Sequence, residues 1–192
     1  MHNLFPKIYY FINVFNENHI RKLDKKIAII YRNYQKKNIY NDVLNVRNFC
    51  KKNGRKFYLS NNFQLAVNMN LDGVYLPSFN KKMINKKILR NNFILLGSAH
   101  NIKQIRFKEK QGVDIIFISP IFKTKDKKTI LGINRFNHLA NQTEKKIVAL
   151  GGINANNIKK LNLTKSYGFA SISSIKVNYN LMKPLIKKYK ND

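Results

Sequence analysis

Gly112-Val113-Asp114-Ile115-Ile116-Phe117-Ile118-Ser119-Pro120-Ile121-Phe122-Lys123-Thr124-Lys125-Asp126-Lys127-Lys128 is the stretch whose reading decides the fold. The apolar run from Ile115 to Ile118 is rich in β-branched residues and too short for a free-standing helix. Gly112 closes whatever precedes it, and Ser119-Pro120 stops it. The run therefore reads as a buried parallel strand. Beyond the proline the chain turns polar and carries Thr124 and Lys127, so a hydroxyl and an ammonium follow the carboxyl end of the strand. Ligands gather at that end in parallel α/β architectures, which makes both residues candidate ligand contacts.

The same unit repeats outward from this strand. Residues 7–13 are aromatic and β-branched and read as the first strand, 16–23 as a short helix capped by Asn16, and 27–31 as a second strand running into Arg32. Residues 41–52 place Val43, Leu44, Val46 and Phe49 on one helical face, with Asn53-Gly54 as the stop. A third strand over 57–59, a helix through Met69 and a fourth strand over 72–77 follow. The spacing of Met83, Ile84, Ile88 and Leu89 predicts a helix over 81–90 with those residues inward. Residues 93–96 form a strand that empties into Gly97-Ser98-Ala99-His100, and Asn101 caps a helix ending at Gln111. After the organising strand come helices over 134–140, 156–161 and 179–190, with strands over 147–150 and 168–172. This alternation predicts an α/β chain, one domain over residues 1–192, folded as a (β/α)8 TIM barrel. A doubly wound open sheet uses the same alternation and is the alternative.

The formal charge is +28, from 37 Lys and Arg against 9 Asp and Glu. Such an excess raises nucleic acid or an anionic membrane as partner. The lysines, however, are scattered through nearly every segment alongside abundant Asn, Ile and Tyr. No basic stripe with interleaved aromatics emerges, so no specific nucleic-acid partner is expected. No apolar run approaches the roughly 18–20 residues of a membrane helix. Lys7 directly precedes the apolar residues 8–12, unlike a leader peptide, and the expectation is a cytoplasmic protein without a membrane partner. The single cysteine, Cys50, reads as a buried structural thiol.

Two strand ends carry glycine or serine where a ligand would sit. Gly151-Gly152 after the seventh strand and Ser173-Ser174 after the eighth stand where barrels of this kind commonly cradle phosphate on backbone N–H groups. A tight strand-to-helix turn is the alternative for the glycine pair. His100 reads as a structural hydrogen-bond partner or a mouth residue. Ser98 has no histidine and carboxylate relay beside it in sequence.

Taken together, Asp72-Gly73-Val74-Tyr75-Leu76, Gly97-Ser98-Ala99-His100, Ser119 through Lys127, Ala149-Leu150-Gly151-Gly152-Ile153 and the Ser173 end resemble the ordered landmarks of the thiamine-phosphate synthase and TenI family. The resemblance implies a barrel that couples hydroxymethylpyrimidine pyrophosphate to a thiazole phosphate and releases pyrophosphate, a transferase acting on small phosphorylated substrates with Mg²⁺. It implies that Arg32 and Lys127 hold pyrophosphate, with Ser98 and Thr124 as neighbouring substrate contacts. Gly152, Ile172 and Ser173 would cradle the thiazole phosphate, and His100 stands at the same mouth. A homo-oligomer would follow from the resemblance alone. The chain departs from the family at Ile30 and Tyr34, where the family carries an amide and a cation. Asn61 and Asn80 replace the two aspartates expected to ligate Mg²⁺. Those replacements keep two other readings open: a TenI-like tautomerase, or a noncatalytic binder of phosphorylated ligands.

Overall fold

A computed structural model of the chain describes residues 5–124, 129–172, 175, 179, 180, 182 and 183. Eight parallel strands close on themselves: β1 (Ile8–Ile12), β2 (Ile27–Tyr31), β3 (Phe57–Ser60), β4 (Gly73–Leu76), β5 (Ile94–Ala99), β6 (Ile115–Ile118), β7 (Lys146–Leu150) and β8 (Gly168–Ser171). Each pairs with the next in sequence, and β8 returns to β1 through Ile8↔Phe169 and Tyr10↔Ser171. Closure excludes the open sheet. Fully described α-helices on the connections are α1 (Glu17–Lys22), α2 (Tyr40–Lys52), α3 (Phe63–Asn68), α4 (Ile102–Lys110) and α5 (Gly132–Ala140). Asn16, Asn62 and Asn101 accept the N–H of His19, Leu65 and Gln104, so short polar residues start three of these helices.

Strand alternation divides the core in two. Tyr9, Phe11, Ile30, Tyr58, Tyr75 and Phe117 point into the lumen and fill it with aromatic edges; Phe117 meets Tyr9 at 4.9 Å and Tyr75 at 5.3 Å between ring centroids. Their neighbours in sequence face outward and pack against the helices. The barrel is therefore a filled cylinder with no room for a ligand inside it, and the carboxyl end is where a barrel of this kind carries its substrate site.

The helix expected over 81–90 is not there. A single 3-10 turn, Lys86–Ile88, occupies the connection, and Met83 and Ile88 are 57% and 67% exposed. Asn80 and Asn85 side chains take the N–H groups of Lys82 and Lys87, offering the backbone a local alternative to helix. The carbonyl of Lys82 is taken by the Gln111 side chain. Lys82 and Lys86 would also repel one helical turn apart. The helix expected over 156–161 is likewise a 3-10 segment, Ile158–Leu163. β5 runs to Ala99, so Gly97 and Ser98 belong to the strand rather than to its exit. Of the expected last helix, Tyr179 and Met182 are buried, and the Tyr179 hydroxyl accepts the Asp24 N–H at 2.9 Å.

Candidate functional site

The inward register of each strand, continued past its carboxyl end, brings Arg32, Ser60, Ser98, His100, Gly152 and Ile172 to one mouth. Each lies an even number of residues beyond a lumen residue of its own strand: Ile30, Tyr58, Leu96, Leu150 and Ala170. Arg32 sits with its guanidinium carbon 4.9 Å from the centre of the Phe11 ring, a cation resting on the aromatic floor of the barrel. Its charge acts on two tyrosines. Burial pushes the Tyr75 hydroxyl up to about 12, while a hydrogen bond to Ser98 and the charge of Arg32 oppose that shift. Burial also raises Tyr34, again opposed by its bond to Ser60 and by Arg32. No carboxylate pairs with Arg32 among the described residues. The mouth thus holds a fixed cation and neutral phenols at neutral pH.

Sequence reasoning missed the rim. Tyr34, in the loop after β2, reaches across to Ser60 with 2.8 Å between the two hydroxyl oxygens, and its ring meets Phe79, from the loop after β4, edge to face at 5.8 Å. Both rings are more than half exposed. Nothing local in sequence connects positions 34, 60 and 79; only closure of the barrel does.

At the opposite side of the mouth, the loop after β6 prolongs its pairing with β7: the N–H groups of Ile121 and Phe122 donate to Leu150 and Gly151. Gly151 and Gly152 both have positive φ, +98° and +70°. Among the described residues the Gly152 N–H has no acceptor. Its carbonyl accepts from the Asn157 side chain at 2.8 Å, which fixes the loop. A Cβ at Gly152 would meet the Lys123 and Phe122 backbone at 2.4–2.6 Å. Glycine is thus needed to seat the β6 loop. Gly152→Val is therefore expected to displace residues 121–124 and to lose ligand affinity together with several degrees of thermal stability, read by calorimetric melting and phosphate titration. Retained stability and affinity would show that the loop seats elsewhere.

His100 turns one ring nitrogen, Nδ1, to the Ser119 carbonyl at 2.6 Å and lies 3.2 Å from its hydroxyl, bracing β5 against β6. Thr124 is half-buried on the β6 loop, and Ile172 is largely exposed just past β8. Lys127 and Ser173 lie outside the described residues.

The model of the thiamine monophosphate synthase (TMP-TENI) family matches residues 21–175. The chain belongs to that family. It is 28% identical over 170 residues to the putative thiamine-phosphate synthase 2 of Aquifex aeolicus, covering 83% of this chain and 90% of that one. It is 30% identical over 153 residues to the thiamine-phosphate synthase of Limosilactobacillus reuteri, covering 77% and 71%. The solved thiamine phosphate pyrophosphorylase of Pyrococcus furiosus shares the fold, with a TM-score of 0.76 at 18% identity over 96% of each chain.

Within a thiamine monophosphate synthase barrel, the two asparagines expected at metal-ligand positions meet each other. Asn80 Nδ2 donates to Asn61 Oδ1 at 2.8 Å across the ends of β3 and β4. Asn80 Oδ1 is already engaged by the Lys82 N–H and the Gln111 amide. Beneath them lies a residue that sequence reading passed over. The Lys108 ammonium, fully buried, donates to the carbonyls of Pro77 and Asn80 at 2.9 and 3.2 Å and to Gln111 Oε1 at 2.8 Å. Burial, with the charge of Lys81, lowers its pKa to about 8. The legible signal was its place three residues after Ile105 on the inward stripe of α4.

Proposed function

We propose that the mouth joins a hydroxymethylpyrimidine pyrophosphate to a thiazole phosphate. The C–O bond to pyrophosphate breaks with its electron pair on the departing oxygen, and the thiazole nitrogen supplies the pair for the new C–N bond, leaving the positive charge on the thiazolium ring. The observation that carries this reading is Arg32: a cation without a carboxylate partner among the described residues, fixed over Phe11 at the inward end of β2 in a chain of this family. Arg32 and Lys127 receive the charge that develops on pyrophosphate. The Gly152 N–H, without an acceptor among the described residues, takes the thiazole phosphate together with Ile172 and Ser173, while Ser98 and Thr124 contact the bound substrates. The Tyr34 and Phe79 rings offer flat apolar faces to heteroaromatic substrates. His100 turns its Nδ1 to the Ser119 carbonyl and so braces β6 against β5.

The residues present do not make a Mg²⁺ seat. The cation favours several hard oxygens with charge among them, whereas this corner offers two amides bonded to each other, one presenting Nδ2 to the gap, above a buried ammonium. The loss is not dictated by backbone. Asn61 has φ +61°, a region that aspartate also tolerates. The test is pyrophosphate release from both substrates across a Mg²⁺ titration. Turnover is expected, with Asn61→Asp lowering the half-maximal Mg²⁺ concentration about tenfold, the equivalent of roughly 1.4 kcal/mol. No release at any Mg²⁺ concentration, with thiazole phosphate still bound, would leave only the noncatalytic reading.

A further inference from the structure

We infer that the amino-terminal face of the barrel, opposite the mouth, carries a second oxyanion site, one for phosphate or pyrophosphate. A cavity of about 340 Å³ opens between the end of α2 and the loops entering β3, β4 and β5. Its lining holds five cations, Arg47, Lys51, Arg55, Lys56 and Arg90, against one carboxylate, Asp72. Asp72 is already committed to Lys56 at 2.8 Å and to the Phe57 N–H at 3.0 Å.

Lysine abundance does not account for this cluster. The chain has 7 arginines among its 37 basic residues, and three of the seven converge on this one cavity. Guanidinium is the group whose rigid fork matches a phosphate or carboxylate. Here each guanidinium is anchored by oxygens that carry no charge. Arg55, 5% exposed, donates to the carbonyls of Ile20, Leu23, Asp24 and Ile27, and its Nε has no acceptor among the described residues. Arg47 Nε donates to the Met69 carbonyl, and Arg90 is held by the side chain of Asn70 and the carbonyl of Leu71. These bonds fix position without cancelling charge, so the repulsion among the cations is left for a bound anion to relieve.

The end of α2 would ordinarily oppose an anion, because its last carbonyls carry partial negative charge. Those of Phe49, Cys50 and Lys51 are consumed by the N–H groups of Asn53, Gly54 and Arg55. The volume is near the lower end of small-ligand sites, in keeping with one or two phosphate groups rather than a large cofactor. The site is independent of the reaction at the mouth.

The test is a titration of the ¹⁵N-labelled full chain with orthophosphate and, separately, pyrophosphate at constant ionic strength, following amide resonances of 51–56 and 70–72 apart from those of 32–34 and 98–100. A saturable shift in the first set is expected, weakened at least tenfold in Arg47→Gln/Arg90→Gln and unaffected by Arg32→Gln. Tighter binding of pyrophosphate assigns the site to two linked phosphate groups, and equal binding to one. If the double variant does not fold, Lys51→Gln, whose ammonium makes no bond among the described residues, is expected to weaken the same shift about threefold. Shifts that chloride reproduces, or saturation confined to the mouth resonances, would leave the arginines as loop staples only and overturn the site.

Discussion

Arg32→Gln is expected to lower kcat/KM for the pyrimidine pyrophosphate about 100- to 1000-fold while leaving the barrel folded. The magnitude is that of removing one fixed electrostatic group from developing charge, roughly 3–4 kcal/mol. The selectivity follows from how Arg32 is held. Its backbone N–H donates to Ile12, which any residue would do, whereas among the described residues its side chain rests on the Phe11 ring and in no ion pair. Losing that contact costs about 0.5–1 kcal/mol, a fall in Tm of a few degrees. Affinity for thiazole phosphate should be unchanged, since Gly152 lies across the mouth. Arg32→Lys should recover part of the rate, because charge returns without the fork. Near-wild-type turnover in Arg32→Gln would remove the assignment of this cation to the leaving group.

Most of the barrel was legible because burial on both faces writes strands as unbroken apolar runs, such as Ile115 to Ile118 and Ile27 to Tyr31. Short asparagines at positions 16 and 101 marked helix starts for the same local reason that they cap them. Legibility failed where long-range contacts outweighed periodicity. Residues 81–90 have helical spacing, yet Gln111 takes the Lys82 carbonyl from outside the segment. The site behaved likewise. Arg32, Ser98 and Gly152 could be placed at strand ends, but the Tyr34–Ser60–Phe79 arch depends on three connections brought together only by closure. The meeting of Asn61 with Asn80 was implied by the family alone. Lys108 was marked only by its place three residues after Ile105 on the inward stripe of α4, a signal easily lost in a chain with so many exposed lysines.

Lys108→Met should therefore expose a dependence on pH that no surface lysine shows. The folded-state pKa of about 8 lies below the ordinary 10.5, so between these values the unfolded chain holds the proton more often than the folded one. Stability contributed by this residue rises with pH across that window. Below pH 8 the ammonium is buried without a carboxylate, and its desolvation offsets the three hydrogen bonds it donates. Wild type and variant are then expected to be nearly equal in stability. By pH 10.5 the neutral amine, with two N–H groups, still donates to two of the three buried acceptors while the penalty is gone, and the wild type should lead by about 3 kcal/mol. Comparing the two proteins cancels the tyrosines, such as Tyr75, whose raised pKa values act in both. The same variant should raise KM. Lys108 holds the loop that carries Phe79 and Asn80 to the mouth, and Gly97 leaves room for its stem, since a Cβ there would lie 3.0 Å from Lys108 Cδ. Denaturant melts of both chains at pH 7.5, 9 and 10.5 measure the difference. A gap that stays constant across the three would mean that Lys108 does not change protonation inside the fold, and that its three acceptors hold it charged throughout.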